Sequence, residues 1–97
     1  MKEDYRKIIT KMWKSELNAK DVVFNNSDGD IHCMKIGERF VRLDSFPATD
    51  TGSIICVETA DEEFAPKGIF EDAFTYWDGD DIESILSQMR KDLSDTA

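Results

Sequence analysis

The sequence has little of what most enzyme and metal sites are built from. Its 97 residues include one histidine, His32, and two cysteines, Cys33 and Cys56, with no Cys-x-x-Cys pair. This leaves almost no ligand set for zinc. The chain also has no phosphate-binding glycine loop and no dinucleotide-binding fingerprint. We therefore expect a protein that is not an enzyme and that uses no metal and no cofactor.

Long apolar runs are missing as well. No stretch of 18 apolar residues is present, and the charged start Met1-Lys2-Glu3-Asp4 does not match a signal peptide. We expect a soluble cytoplasmic protein that does not engage a membrane. Cys33 and Cys56 each lie inside an apolar run, which favours reduced, buried thiols over a disulfide.

The composition is that of one globular domain spanning residues 1–97. Apolar residues make up 40% of the chain and aromatic residues 10%, which separates it from disordered sequences. A chain of about 100 residues can bury one hydrophobic core without disulfides or metals.

Basic residues are scarce outside the N-terminal segment. Residues 1–20 hold six Lys/Arg against three acids, whereas residues 21–97 hold six Lys/Arg against eighteen acids, and the net charge is −9. Phosphates would be repelled over most of such a surface. We therefore expect no direct binding to nucleic acid and a basic protein as the partner.

Both ends of the chain are predicted to be helical. Residues 3–17 place Tyr5, Ile9, Met12 and Trp13 at the three- and four-residue spacing of an amphipathic helix. A second apolar stripe runs from Ile82 to Leu93. Asp80 followed by Glu83 has the spacing of a capping box, so we predict that Asp80 caps this helix.

The middle of the chain predicts an antiparallel sheet. Strands are expected at 22–24, 31–36, 39–44 and 54–57, with a two-residue hairpin turn at Gly37-Glu38. The hairpin pairs Ile36 with Arg39, Met34 with Val41 and His32 with Leu43. Residues 45–52 and 59–68 are predicted as loops, and residues 69–77 as an extended arm or irregular edge strand. The fold class is thus α+β: a sheet of about four strands with an N-terminal and a C-terminal helix.

Between Glu58 and Glu83 the chain carries ten carboxylates and five aromatic residues but a single base, Lys67. Acids at this density repel one another, and the sequence shows no structural role for them that would offset this repulsion. Large rings among them must enter a core or meet a partner. We predict a partner-binding surface composed of Glu62, Glu63, Phe70, Glu71, Asp72, Tyr76, Trp77, Asp78 and Asp80. Alternatively, Tyr76 and Trp77 belong to the core rim and Asp78 and Asp80 serve only as caps.

The segment from Gly68 to Asp78, with the acidic α+β character of the whole chain, resembles small bacterial immunity proteins. These neutralise toxic nuclease domains of contact-dependent inhibition and colicin-type systems. The resemblance implies a tight complex with a cognate toxin, held by carboxylates that face the groove where nucleic acid would lie. Two other functions remain open: a nucleic-acid mimic that inhibits a bacterial defence system, and a non-catalytic adaptor or assembly domain.

Overall fold

Two helices flank a five-stranded sheet along the chain. The structure is a computed structural model and describes residues 3–50 and 52–94, apart from the side chains of Glu3 and Thr49. The elements in chain order are α1 (Glu3–Glu16), β1 (Lys20–Phe24), β2 (Ile31–Ile36), β3 (Arg39–Thr49), β4 (Gly52–Ala60), a short 3₁₀ helix (Ala65–Lys67), β5 (Glu71–Trp77) and α2 (Ile82–Ser94). The α+β class is confirmed, with five strands where about four were expected.

Helix α1 forms and ends as its sequence predicts. Its apolar stripe buries Ile9, Met12 and Trp13 against the sheet. Asn18 adopts the left-handed conformation with φ 57°, and the Ala19 N–H donates to the Trp13 carbonyl at 3.0 Å. This is the geometry in which a helix commonly ends, and Asn is among the few residues that tolerate it. No helix in the described ranges is long and apolar enough to cross a membrane.

The sheet is an antiparallel meander in which the strand order is β1-β2-β3-β4-β5. The β2–β3 hairpin has the predicted register near its turn, with Met34 opposite Val41 and Ile36 opposite Arg39. The pairing ends there, so the predicted pair of His32 with Leu43 is not formed. Gly37 lies at φ 59°, a conformation that the first central position of this turn requires and that glycine adopts without strain.

The two faces of the sheet are covered by different elements. On the first face, here called the helix face, α1 and α2 pack over a core that includes Ile36, Val41, Ile55 and Val57. The opposite face is called the second face. It carries a smaller cluster of Cys33, Phe40, Ala60 and Ala65, against which Val22, Phe24 and Phe70 pack. The segment 61–70 contributes Ala65 and Phe70 to this cluster, so it covers part of the second face.

The prediction of a loop over residues 45–52 is wrong. β3 continues to Thr49 and β4 begins at Gly52, so the two strands form a long hairpin. Pro47 pairs with Ser53 of β4, whereas the pairing of β3 with β2 is confined to residues 39–41. Proline is tolerated here because this part of β3 needs no N–H donor on its other edge.

The cap of α2 also differs from the prediction by one residue. Asp81, not Asp80, accepts hydrogen bonds at the helix start: from the Ser84 N–H at 3.2 Å and from the Ser84 hydroxyl at 2.7 Å. These hydrogen bonds hold the pKa of Asp81 below its ordinary value. Ile85, Leu86, Met89 and Leu93 then form the buried stripe.

Candidate functional site

The acidic segment 61–70 is held in place from beneath. Ala65 is fully buried against the second face, and the Asn26 side chain donates to the Pro66 carbonyl at 2.9 Å. At the start of the segment, the Asp61 carboxylate accepts from the N–H groups of Glu63 and Phe64, each at 3.1 Å. The segment is therefore an ordered cover with an apolar inner side.

Phe70 anchors the end of this cover. Its ring lies 4.0 Å from the Arg42 guanidinium carbon, within cation–π distance. The same guanidinium pairs with Glu58 of β4 at 3.4 Å. Phe70 is half-buried and packs against the cluster of the second face, and its predicted contact with a partner stays a prediction.

Two apolar side chains remain exposed on the outer side of the cover. Phe64 is 41% exposed and Ile69 is 52% exposed. They line a cleft of about 280 Å³ together with Arg39, Asp61 and Glu71. A cleft of mixed lining, with two exposed apolar side chains, two carboxylates and Arg39, is therefore present where segment 61–70 meets the first residue of β5.

We define the acidic surface as this cleft and the exposed acids next to it in the chain. Its residues are Asp61, Glu62, Glu63, Phe64, Ile69 and Glu71. Asp72 is not among them, because neighbouring side chains of a strand point to opposite faces. Glu62, Glu63 and Glu71 form no ion pair with any residue in 3–50 or 52–94. Their charge is therefore available to an external partner.

Asp72 lies on the second face, opposite Glu58 in the β4–β5 pairing. Its carboxylate accepts a hydrogen bond from the buried Cys56 thiol at 3.2 Å. Burial, then this hydrogen bond and the nearby carboxylates, raise the pKa of Cys56 to about 12. Cys33 and Cys56 are both buried and unpaired with one another, as the sequence predicted.

Tyr76 and Asp78 must be removed from the predicted surface. Tyr76 is 9% exposed and points into the helix-face core, where its hydroxyl donates to Asp92 at 2.8 Å. Burial, aided by Asp92, raises the pKa of Tyr76. Asp78 is 5% exposed and joins β5 to the start of β4: its carboxylate accepts from the Ser53 N–H at 2.9 Å, and its own N–H donates to the Ser53 carbonyl at 3.1 Å. Both side chains are structural.

Trp77 lies at the far end of β5 from the acidic surface. On the second face it follows Phe46 and Ile54 in a row across three strands, and it is half-buried. A Cβ added to Gly52 or Gly79 would overlap the indole, so the ring rests on both glycines. Close approach of a large ring is one of the uses of glycine in sheets.

Asp80 is exposed near this end, and its carbonyl accepts from the Tyr5 hydroxyl at 3.1 Å. The predicted residues thus fall into separate groups. Glu62, Glu63 and Glu71 belong to the acidic surface, Asp72 points to the second face, and Trp77 and Asp80 lie at the opposite end of β5.

Several acids of the Glu58–Glu83 stretch do have a structural role, contrary to the expectation from sequence. Glu58 pairs with Arg42, Asp61 and Asp81 accept backbone N–H groups, and Asp78 ties two strands together. The functional interpretation therefore depends on the remaining acids, above all Glu62, Glu63 and Glu71.

The sequence-based site omitted Phe64, Ile69 and Asp61. Phe64 was visible as one of the five aromatics of the stretch, and the Asp61-x-Glu63 start is typical of a side-chain-capped turn. Nothing in the sequence marked Ile69 as a site residue, because its exposure depends on how segment 61–70 folds back over the sheet.

No cluster of three or more His, Cys, Asp or Glu side chains suited to a metal ion is found among the described residues. Comparison of the chain with known protein families, with curated proteins and with solved structures finds no match in any of the three.

Proposed function

We propose that this protein is an immunity protein that binds and neutralises a cognate toxic nuclease domain through its acidic surface. In this proposal it has no catalytic activity and acts by occupying a basic surface of the toxin. The observation that carries the proposal is the cleft in which the exposed side chains of Phe64 and Ile69 lie beside Glu71.

The chemistry of the cleft suits a long basic side chain. The apolar side chains of Phe64 and Ile69 offer contacts for the methylene stem of a Lys or Arg. Glu71 provides a carboxylate for its charged head. Lys and Arg commonly bury their stems on apolar surface while the head stays polar, and the ring of Phe64 adds a cation–π contact.

The surrounding charge suits the approach of a basic protein. The net charge is −9, and Glu62 and Glu63 extend the exposed acids beyond the cleft. Opposite charge raises association rates towards roughly 10⁸–10⁹ M⁻¹s⁻¹ at low salt. A nuclease must present a basic surface to bind phosphates, so it belongs to the class of partner that this field attracts.

The roles of charge and of apolar contact should separate kinetically. Exposed acids at an interface act mainly on association, whereas desolvated apolar anchors act on dissociation. Glu62→Gln with Glu71→Gln should therefore slow association and flatten its salt dependence. Phe64→Ala with Ile69→Ala should speed dissociation by roughly thirtyfold, the effect of losing about 2 kcal/mol at a hot spot.

The test takes as candidate partners the toxin nuclease domains found by sequencing the genes that flank this one. Each is mixed with the purified protein, and nucleic-acid cleavage, association and dissociation are measured. We expect one domain to be inhibited at equimolar protein. If none is bound or inhibited, the proposed function is wrong.

A matched control separates the acidic surface from net charge. Asp4→Asn with Glu83→Gln removes the same two charges from exposed positions on the two helices. This control should associate almost like wild type. Equal slowing by both double variants would place the interface elsewhere, and melting curves of each variant check that the fold is intact.

A further inference from the structure

Three large apolar side chains lie side by side on the second face, at the end away from segment 61–70. They are Phe46 of β3, Ile54 of β4 and Trp77 of β5, and we call them the apolar row. Phe46 is 47% exposed, and Ile54 and Trp77 are half-buried. In the part of the chain that the structure describes, none of the three belongs to a core cluster. The core and the proposed function therefore leave the row unused.

The row is an ordered surface. Its three members are fixed by consecutive strand pairings, Phe46 with Ile54 and Ile54 with Trp77. The Trp77 indole also rests on Gly52 and Gly79, because a Cβ at either glycine would overlap the ring. A side chain that is already positioned loses little conformational entropy when a partner binds, so such a row suits binding.

Two carboxylates lie beside the row. Asp44 precedes Phe46 by two residues and therefore points to the same face of the sheet. Asp72 reaches the same level from β5: its carboxylate accepts from the Cys56 thiol at 3.2 Å, and Cys56 is the β4 partner of Asp44. Asp44 and Asp72 are both exposed, and neither forms an ion pair with another described residue. Two negative charges thus flank the row on one side.

These charges decide which kind of partner fits. If two copies of the chain met symmetrically through the row, Asp44 and Asp72 of one copy would lie near the same acids of the other. Like charges brought together at an interface are unfavourable. Arg42, a base on this face, does not offset them, because it is already paired with Glu58 at 3.4 Å. A partner with basic side chains is therefore favoured over a second copy.

We propose that the apolar row binds an amphipathic basic helix of a partner protein. Neighbouring strands lie about 4.8 Å apart, so the row is about 10 Å long. Residues three or four apart in a helix advance by about 4.5–6 Å, so three residues of an apolar stripe fit over Phe46, Ile54 and Trp77. Asp44 lies about 7 Å to one side, the span of two strand residues. A Lys or Arg beside the stripe pairs with Asp44, and a second pairs with Asp72.

The probe is a synthetic helical peptide of about 18 residues, or five turns, with a leucine stripe flanked by lysines. A second peptide has glutamate in place of every lysine. Binding at physiological salt is followed through the two indole N–H signals of ¹⁵N-labelled protein, assigned with Trp77→Phe. We expect the Trp77 signal to shift and saturate with a dissociation constant of roughly 10–100 µM, as for a small interface. The Trp13 signal should stay unchanged, because that side chain is 1% exposed and lies on the helix face. The glutamate peptide should bind at least about tenfold more weakly.

Phe46 and Phe64 form a matched pair of variants, since they are 47% and 41% exposed. Phe46→Ser should weaken binding of the lysine peptide by about tenfold or more, as the loss of an interface anchor does. Phe64→Ser removes the same ring from the acidic surface and should change binding by less than about twofold.

A second pair of variants locates the charge. Asp44→Asn with Asp72→Asn should weaken binding by about three- to tenfold. Asparagine retains an oxygen, so the hydrogen bond from the Cys56 thiol is kept and the fold is preserved. Glu62→Gln with Glu71→Gln removes the same charge from the acidic surface and should weaken binding by less than about twofold.

Sedimentation velocity of the free protein at about 100 µM tests a second copy as the occupant, and we expect a monomer. The proposal is overturned if the free protein forms a dimer that Phe46→Ser dissociates. It is also overturned if the Trp77 signal does not respond, if the two peptides bind equally, or if the two members of either variant pair weaken binding equally. None of these measurements uses a toxin, so their outcome is independent of the proposed function.

Discussion

Asp78 and Asp80 provide a direct test of which acids belong to the fold. The two carboxylates lie two residues apart in the same turn, but Asp78 is 5% exposed and Asp80 is exposed. Asp78→Ala removes the acceptor of the Ser53 N–H, a bond of 2.9 Å that holds β5 to the first residues of β4. Asp80→Ala removes an exposed side chain that does not join β5 to β4 in this way.

The magnitudes follow from this difference. A hydrogen bond to a charged group contributes about 1.5–3 kcal/mol, and removing it here also leaves the Ser53 N–H without its acceptor. We expect Asp78→Ala to lower the free energy of unfolding by about 2–3 kcal/mol. For a domain of this size that corresponds to a fall in Tm of about 10–20 °C. Asp80→Ala should change the free energy of unfolding by less than about 0.5 kcal/mol.

Urea denaturation measures both values, and an unchanged m-value shows that the unfolded state is the same. Asp78→Asn retains a side-chain oxygen and should recover part of the loss. If Asp78→Ala and Asp80→Ala are equally stable, the turn does not depend on the Asp78–Ser53 contact and Asp78 returns to the candidate surface residues.

Four further predictions concern packing, thiol reactivity and the pH dependence of stability. Gly79→Ala places a methyl group against the Trp77 indole, which should lower the free energy of unfolding by about 1–3 kcal/mol and red-shift the tryptophan emission; unchanged emission would show that the ring does not rest there. Cys33 and Cys56 should react with a thiol reagent at the rate of unfolding, and two fast-reacting thiols in the native protein would contradict their burial. Because burial raises the pKa of Cys56 from 9.0 to about 12, its contribution to stability is complete below pH 9 and is lost as the pH rises towards 12, which alkaline denaturation curves of wild type and Cys56→Ala should reveal. The pKa of Asp81 is lowered from 3.8, so the cap stabilises the fold above that pH and its contribution is lost as the pH falls through the lowered pKa; Asp81→Ala should weaken this acid dependence in denaturation curves, and an unchanged dependence would argue against the cap.

The sequence was sufficient to predict an element where a single feature, such as the spacing of apolar residues or a turn glycine, determined the whole element. The two helices followed from apolar spacing, and the β2–β3 hairpin followed from Gly37. β5 could not be resolved in the same way, because its register shifts where Val57 pairs with Phe74 and Glu58 with Asp72. Ala73 is the extra residue, so alternation is interrupted within the strand and period two is hidden.

The sequence predicted the negative charge of the candidate site but not which residues belong to it. Whether an acid faces solvent or accepts a backbone N–H depends on contacts made by residues distant in the chain. Asp78 meets Ser53 and Tyr76 meets Asp92 only after the sheet and α2 have assembled. Composition alone therefore placed these two residues on the same surface as Glu71.

The meander has a consequence for how the chain reaches its folded state. Each strand pairs with the strands next to it in sequence, so the sheet can form by closing short loops, a topology that favours fast folding. The contacts between the two ends span much more of the chain: Tyr5 to Asp80, 75 residues apart, and Glu16 to Arg90, 74 residues apart. During synthesis α2 emerges after every strand, and until it docks the apolar side chains beneath it stay open to water. We expect a nascent chain that has its sheet but not α2 to be susceptible to proteases and prone to aggregate, and docking of α2 to be the step that ends this exposure.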